Sequence, residues 1–185
     1  MKLEQWDGVV YAPQEDSYLF VELVSHYCKN GMKLLDMGCG SGVIGISAAL
    51  KGCDVTSVDL NPSALELTKK NAEANKVAVK TVFSDLFSNV DGLFDLIVFN
   101  PPYLPTGDAN SRQWVGGLKG NELTLKFFRQ AKAHLEPNGF MLVMISSLSR
   151  PEDVFSELKK LGFKHELVKE EGFFFERLTI LKIFC

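Results

Sequence analysis

The run "FDLIVFNPPYLP" ends a stretch of apolar residues on an amide, Asn100, two residues without an N–H donor, Pro101 and Pro102, and an aromatic ring, Tyr103. Asn100 carries a side-chain carbonyl, and a rigid loop can turn the backbone carbonyl of Pro101 the same way. Together they can accept both hydrogens of a planar N–H2 group. Pro102 stiffens the corner, and Tyr103 offers a face on which a flat amide or base can stack out of water. A nitrogen whose lone pair is delocalised reacts when it is held in line and its hydrogens are accepted, so the four residues suit that chemistry without a strong base. A proline-rich turn after a buried strand is the plainer use of the same residues, and the choice depends on what precedes them.

Upstream, "LLDMGCGSGVIG" sets Gly38, Gly40 and Gly42 between a strand and a helix, where the backbone can turn tightly and approach a ligand. Gly40, Gly42 and Gly45 also satisfy G-x-G-x-x-G, the dinucleotide pattern, with Asp59 17 residues beyond Gly42. The glycines alone leave both readings open. Asp59 can accept from two ribose hydroxyls in either. Asp36, just before the first glycine, would repel a pyrophosphate but would suit the ammonium of an amino-acid tail. Asp85, in "VFSDLF", could accept from an adenine amino group. Any one acid could merely cap a helix or turn. Three at successive strand ends favour a nucleoside with a cationic tail, hence methyl transfer from a sulfonium to a planar nitrogen. Cys39 reads as a small filler of the loop.

These groups need a frame. Strand-like "KLLDM", "DVTSVDL", "VKTVFSD" and "LFDLIVFN" alternate with "VIGISAALKG" and "PSALELTKKNAEAN", read as amphipathic helices, the pattern of parallel βαβ units. Pro62 suits a helix start, "KGC" a glycine stop, and "LIVF" a strand covered on both faces. A long loop, "TGDANSRQWVGGLKG", leads to a helix in "NELTLKFFRQAKAHL". "PNGFMLVMIS" reads as a turn into a strand, "PEDVFSELKKLG" as a helix begun by Pro151, and "HELVKEEGFFFERLTILKIF" as a closing strand pair.

At 185 residues, 46% apolar and 23% charged, the chain fits one globular domain, 1–185. No segment approaches the roughly 20 apolar residues that span a bilayer, and the first residues lack a leader's apolar core, so a cytoplasmic location is expected. Cys28, Cys39, Cys53 and Cys185 and the three histidines lack metal-ligand spacing, so no metal is expected and the thiols read as reduced. With a net charge of -3 and no basic stripe, direct nucleic-acid binding is not expected.

Through "DMGCGSG", "VDLNP", "SDLF" and "FNPPY" the chain resembles the class I S-adenosylmethionine-dependent methyltransferases over essentially its whole length. The resemblance implies an α/β, Rossmann-like fold: a seven-stranded, mostly parallel sheet with an antiparallel last strand and helices on both faces. "VYAPQEDSYLF" and "WVGGLKG" further resemble the HemK-type protein-glutamine methyltransferases, above all their short archaeal and eukaryotic branch, which methylate the glutamine of the Gly-Gly-Gln motif in peptide-chain release factors. Carried over, this implies that Asp36, Gly38, Cys39, Gly40, Asp59, Leu60, Asp85, Leu86 and Asn100 bind S-adenosyl-L-methionine. Ser17, where that branch often has threonine, would touch its carboxylate end from a helical extension over 1–32. Asn100, Pro101 and Tyr103 would hold the glutamine amide, with Pro102 in the catalytic corner and Trp114, Gly116 and Gly117 shaping the substrate cleft. Bacterial members differ, resembling this chain only after a sizeable helical N-terminal domain. The short branch also implies a small zinc-binding activator protein, for which Phe87, Phe99 and Phe173–Phe175 could offer surface, although the core is the commoner place for such residues.

Two other functions fit part of the pattern. Exocyclic amines of adenine, cytosine or guanine in DNA or RNA pose the same planar-nitrogen problem. A cofactor-binding protein without catalysis, or an NAD-type oxidoreductase, would use the glycines alone.

Overall fold

The structure, a computed structural model, describes residues 1–3, 10–103 and 120–185. Trp114, Gly116 and Gly117 lie outside the described residues. The elements run α1 (Glu15–Tyr27), β1 (Lys33–Met37), α2 (Val43–Ala49), β2 (Asp54–Asp59), α3 (Pro62–Ala74), β3 (Lys80–Phe83), β4 (Phe94–Phe99), α4 (Glu122–Ala131), β5 (Leu135–Ser146), α5 (Pro151–Lys160), β6 (Lys164–Gly172) and β7 (Arg177–Phe184). The strands form one mostly parallel seven-stranded sheet in the order β3-β2-β1-β4-β5-β7-β6. β7 runs against both of its neighbours, β5 and β6. The fold that the resemblance implies is therefore the fold observed. The chain clusters into two compact units, 1–98 and 99–185.

In the first unit, Leu34, Leu35, Asp36 and Met37 are buried in succession along β1, as in a strand covered on both faces. α2 departs from the amphipathic expectation. Every residue from Val43 to Ala48 is buried, because α1 packs on the side of α2 that would otherwise meet water. α3 starts as its sequence requires: Pro62 is the first helical residue, and Asn61 accepts from Ser63 N at 3.0 Å.

In the second unit, Phe127 and Phe128 of α4 are fully buried, and Arg129 Nε on the same helix donates to Glu157 Oε1 on α5 at 2.6 Å. The turn expected at "PNG" is absent: β5 already begins at Leu135. Its ladder with β7 starts only at Phe140, so the missing N–H of Pro137 removes no bond from that ladder. Phe87 and Phe99 are buried, whereas Phe174 and Phe175 are 92% and 82% exposed. No helix of the described residues is long and apolar enough to cross a membrane.

Candidate functional site

The glycine loop between β1 and α2 is braced from below and from one side. Asp36, only 1% exposed at the end of β1, accepts from Gly45 N on α2 at 3.0 Å. A Cβ on Gly45 would stand 2.9 Å from that same carboxylate oxygen and 2.8 Å from Ser57 Oγ, so the helix approaches the strand only because residue 45 has no side chain. Burial pushes the Asp36 carboxyl up to about 7, against the pull of the Gly45 N–H and with help from the Asp59 charge.

Asp59, at the end of β2, receives Gly40 N at 3.0 Å and Asn61 N at 2.8 Å. Burial raises its carboxyl, and these backbone donors pull the other way. The Leu60 N–H also favours the charged form. A carboxylate has about four acceptor positions, so these backbone donors fix its orientation and leave capacity for a further hydroxyl. The loop itself is open above Gly40, where an added Cβ would meet nothing within 4 Å. Cys39 is buried with its thiol pushed well up by that burial, which keeps it protonated and suits a filler rather than a nucleophile.

Leu60, just after Asp59, is 60% exposed. Beyond β3, Ser88 donates its N–H and its hydroxyl to Asp85 O at 3.2 and 2.8 Å, forming a tight turn. Leu86 sits inside it, buried, at φ 50°, a left-handed conformation that an L-residue adopts only when its surroundings impose it. Ser17 is buried on α1, its hydroxyl 3.4 Å from Asp16 Oδ1, which also accepts from Tyr11 OH at 3.1 Å. The buried carboxylate next to Ser17 was not singled out in the sequence.

Nor were Thr68 and Asn71, both fully buried on α3. Thr68 Oγ1 donates to Gly40 O at 3.1 Å and lies 3.3 Å from Cys39 Sγ, while Asn71 Nδ2 donates to Ser41 O at 2.9 Å. Their spacing was the available signal. Two polar residues three apart, among the apolar Ala64, Leu65, Leu67 and Ala72, share the covered face of a helix.

In the second unit, Asn100 to Tyr103 follow the last residue of β4. Phe99 anchors the corner through a ring contact with Phe127 at 4.6 Å. Asn100 is half-buried with its Oδ1 shielded from solvent, Pro101 is buried, and Pro102 and Tyr103 are half-buried. Among the described residues no peptide bond is cis, so both proline bonds here are trans.

Residues 14–175 match the family model described as the methyltransferase small domain. A Methanocaldococcus jannaschii protein provisionally named protein N5-glutamine methyltransferase is 38% identical, over 93% of this chain and 90% of that one. Mouse methyltransferase HEMK2 is 32% identical, over 84% and 80%. Among solved structures, one similar chain belongs to the E. cuniculi Mtq2-Trm112 complex, responsible for methylation of the eRF1 translation termination factor. It superposes with a TM-score of 0.77 at 26% identity, over 94% of this chain and 97% of that one. Sheet order and glycine loop define a Rossmann-like methyltransferase. The chain belongs to the methyltransferase small domain family.

Proposed function

We propose that this protein transfers a methyl group from S-adenosylmethionine to the side-chain nitrogen of a glutamine, that of the Gly-Gly-Gln motif in a peptide-chain release factor. When bound, the cofactor would supply an electrophilic methyl on a positively charged sulfur, and transfer would release S-adenosylhomocysteine together with one amide proton, taken up by water. Every other demand falls on the chain.

The observation that carries the reading is the state of Asp59. Its carboxylate is oriented by Gly40 N and Asn61 N, beside a loop left open at Gly40, with acceptor capacity remaining for a ribose. Asp36 would answer the cofactor's ammonium, Asp85 its adenine amino group, and Gly38, Cys39, Leu60 and Leu86 its flanks, with Ser17 at its carboxylate end and the whole chain acting as one domain. Asn100 Oδ1 and Pro101 O would accept the two hydrogens of the glutamine amide, and Tyr103 would stack on it. The names of the M. jannaschii and E. cuniculi relatives support glutamine as the acceptor and a termination factor as its carrier. Acting on such a factor, the enzyme would work in the cytoplasm.

A small second protein, zinc-binding in the short branch, is part of the proposal. The E. cuniculi Mtq2 structure is of a complex with Trm112, which supports a second protein. Here a groove of about 490 Å³ lined by Pro62, Leu65, Glu66, Lys69 and Phe83, with Phe83 51% exposed on edge strand β3, offers apolar surface for it.

The test is mass spectrometry of the release factor after incubation with enzyme and cofactor. A single added methyl on the Gly-Gly-Gln glutamine is expected. Transfer of label to DNA or RNA, with none to protein, would overturn the reading.

A further inference from the structure

We infer that the β6–β7 hairpin tip, Phe174 and Phe175, is where the enzyme grips the body of its protein substrate, away from the residue it methylates. The inference rests on the function proposed above. The two rings are 92% and 82% exposed and meet edge to face at 4.5 Å. Their turn is closed by Phe173 N to Glu176 O at 2.7 Å and Glu176 N to Phe173 O at 3.3 Å, which leaves a two-residue loop. Such loops favour Gly, Asn or Asp at positive φ, and neither phenylalanine has a positive φ. Turn geometry does not select them, and the core does not hold them. Adjacent exposed aromatic rings of this kind mark an interaction surface.

Their position says which interaction. Leu178 pairs with Ser146, the last residue of β5. Ser147 N donates to Arg177 O at 2.9 Å, Arg177 N donates to Ser147 Oγ at 3.0 Å, and Ser146 Oγ donates to Glu176. The tip is thus rooted on the carboxyl end of β5, the strand beside β4, whose own carboxyl end runs into Asn100. Ligands of α/β sheets meet the carboxyl ends of the strands, so a macromolecule offering a side chain to Asn100 and Tyr103 approaches over this rim.

Charge narrows the occupant. Glu170 is 3.7 Å from Arg177 and offset by it, whereas among the described residues Glu171 and Glu176 form no ion pair. The collar is negative. It suits a polypeptide with lysines or arginines around an apolar recess, and it disfavours a phosphate backbone or a second copy of this acidic chain.

The experiment compares wild type, Phe174→Ala/Phe175→Ala and Glu171→Lys on the intact release factor and on a short peptide carrying its Gly-Gly-Gln sequence. For the double variant a KM for the intact factor about tenfold higher is expected, with kcat within twofold and the peptide methylated as by wild type. Glu171→Lys should raise the same KM, and circular dichroism should show both variants folded. An unchanged KM for the intact factor in both variants overturns the inference and leaves the proposed function standing. A change confined to self-association in sedimentation velocity also overturns it. If wild type methylates neither substrate, the proposed function fails and the inference falls with it.

Discussion

Thr68 donates its hydroxyl to the carbonyl of Gly40 at 3.1 Å, tying α3 to the loop that follows β1. The same side chain closes the space over Gly42, where an added Cβ would lie 2.8 Å from Thr68 Cγ2 and Oγ1. A helix that begins with Pro62 therefore sets the shape of a glycine loop more than twenty residues earlier in the chain.

Gly42 sits at φ 79°, so Gly42→Ala adds backbone strain to overpacking, for a loss of roughly 2 to 4 kcal/mol. Gly40→Ala, at φ 52° with open space around it, should cost only about 1 kcal/mol of stability. Urea unfolding of the pair checks this, and equal losses would contradict the role given to Thr68.

Asn71→Leu leaves the Ser41 carbonyl without its buried donor and should cost about 1 to 3 kcal/mol. If α3 shapes the cofactor loop, KM for S-adenosylmethionine rises while kcat at saturation holds. A fall in kcat alone would place the defect elsewhere.

Asp36 makes stability depend on pH with an unusual sign. Its folded value of about 7 lies above its ordinary 3.8, so the folded state binds the proton more tightly. Stability from this group is full below about pH 4 and is lost as pH rises through 7, by about 4 kcal/mol in all. Asp36→Asn should flatten that decline in denaturant titrations between pH 5 and 8; a slope as steep as wild type would refute it.

An ammonium placed beside Asp36 would lower its pKa and expel the proton. S-adenosylmethionine should then bind more tightly at pH 8 than at pH 6. Calorimetry at pH 6.5 in phosphate and in imidazole buffer should give different heats, the signature of proton release, and equal heats would argue against the contact.

Asn100→Ala should keep cofactor affinity within about twofold and lose roughly 10²- to 10³-fold in turnover, by analogy with removing a transition-state hydrogen bond. Calorimetry and single-turnover rates separate the two effects. Turnover at the wild-type rate would show that the amide does not grip the acceptor.

Much of the frame was legible because it is written in local terms. Pro62 and Asn61 mark the start of α3, "LIVF" marks a covered strand, and Asp36 and Asp59 fall at strand ends because strands stop where glycines and a following helix begin. α2 misled, since its burial comes from α1 packing over it. "PNG" misled as well, since a strand can outrun its neighbour's ladder. Thr68 and Asn71 looked like ordinary polar residues of a helix because nothing local says that their face is covered.

By itself, then, the order of residues determined the βαβ alternation, the glycine loop, the acids at strand ends and the Asn-Pro-Pro-Tyr corner, all consequences of backbone preference and short-range spacing. Only the tertiary structure decided that Asp36 is buried enough to hold a proton near neutrality, that α3 braces the loop, and that Phe174 and Phe175 stand in solvent while Phe87 and Phe99 do not. Burial depends on which segments meet in space, and desolvation, cavity closure and exposure arise only once they have met.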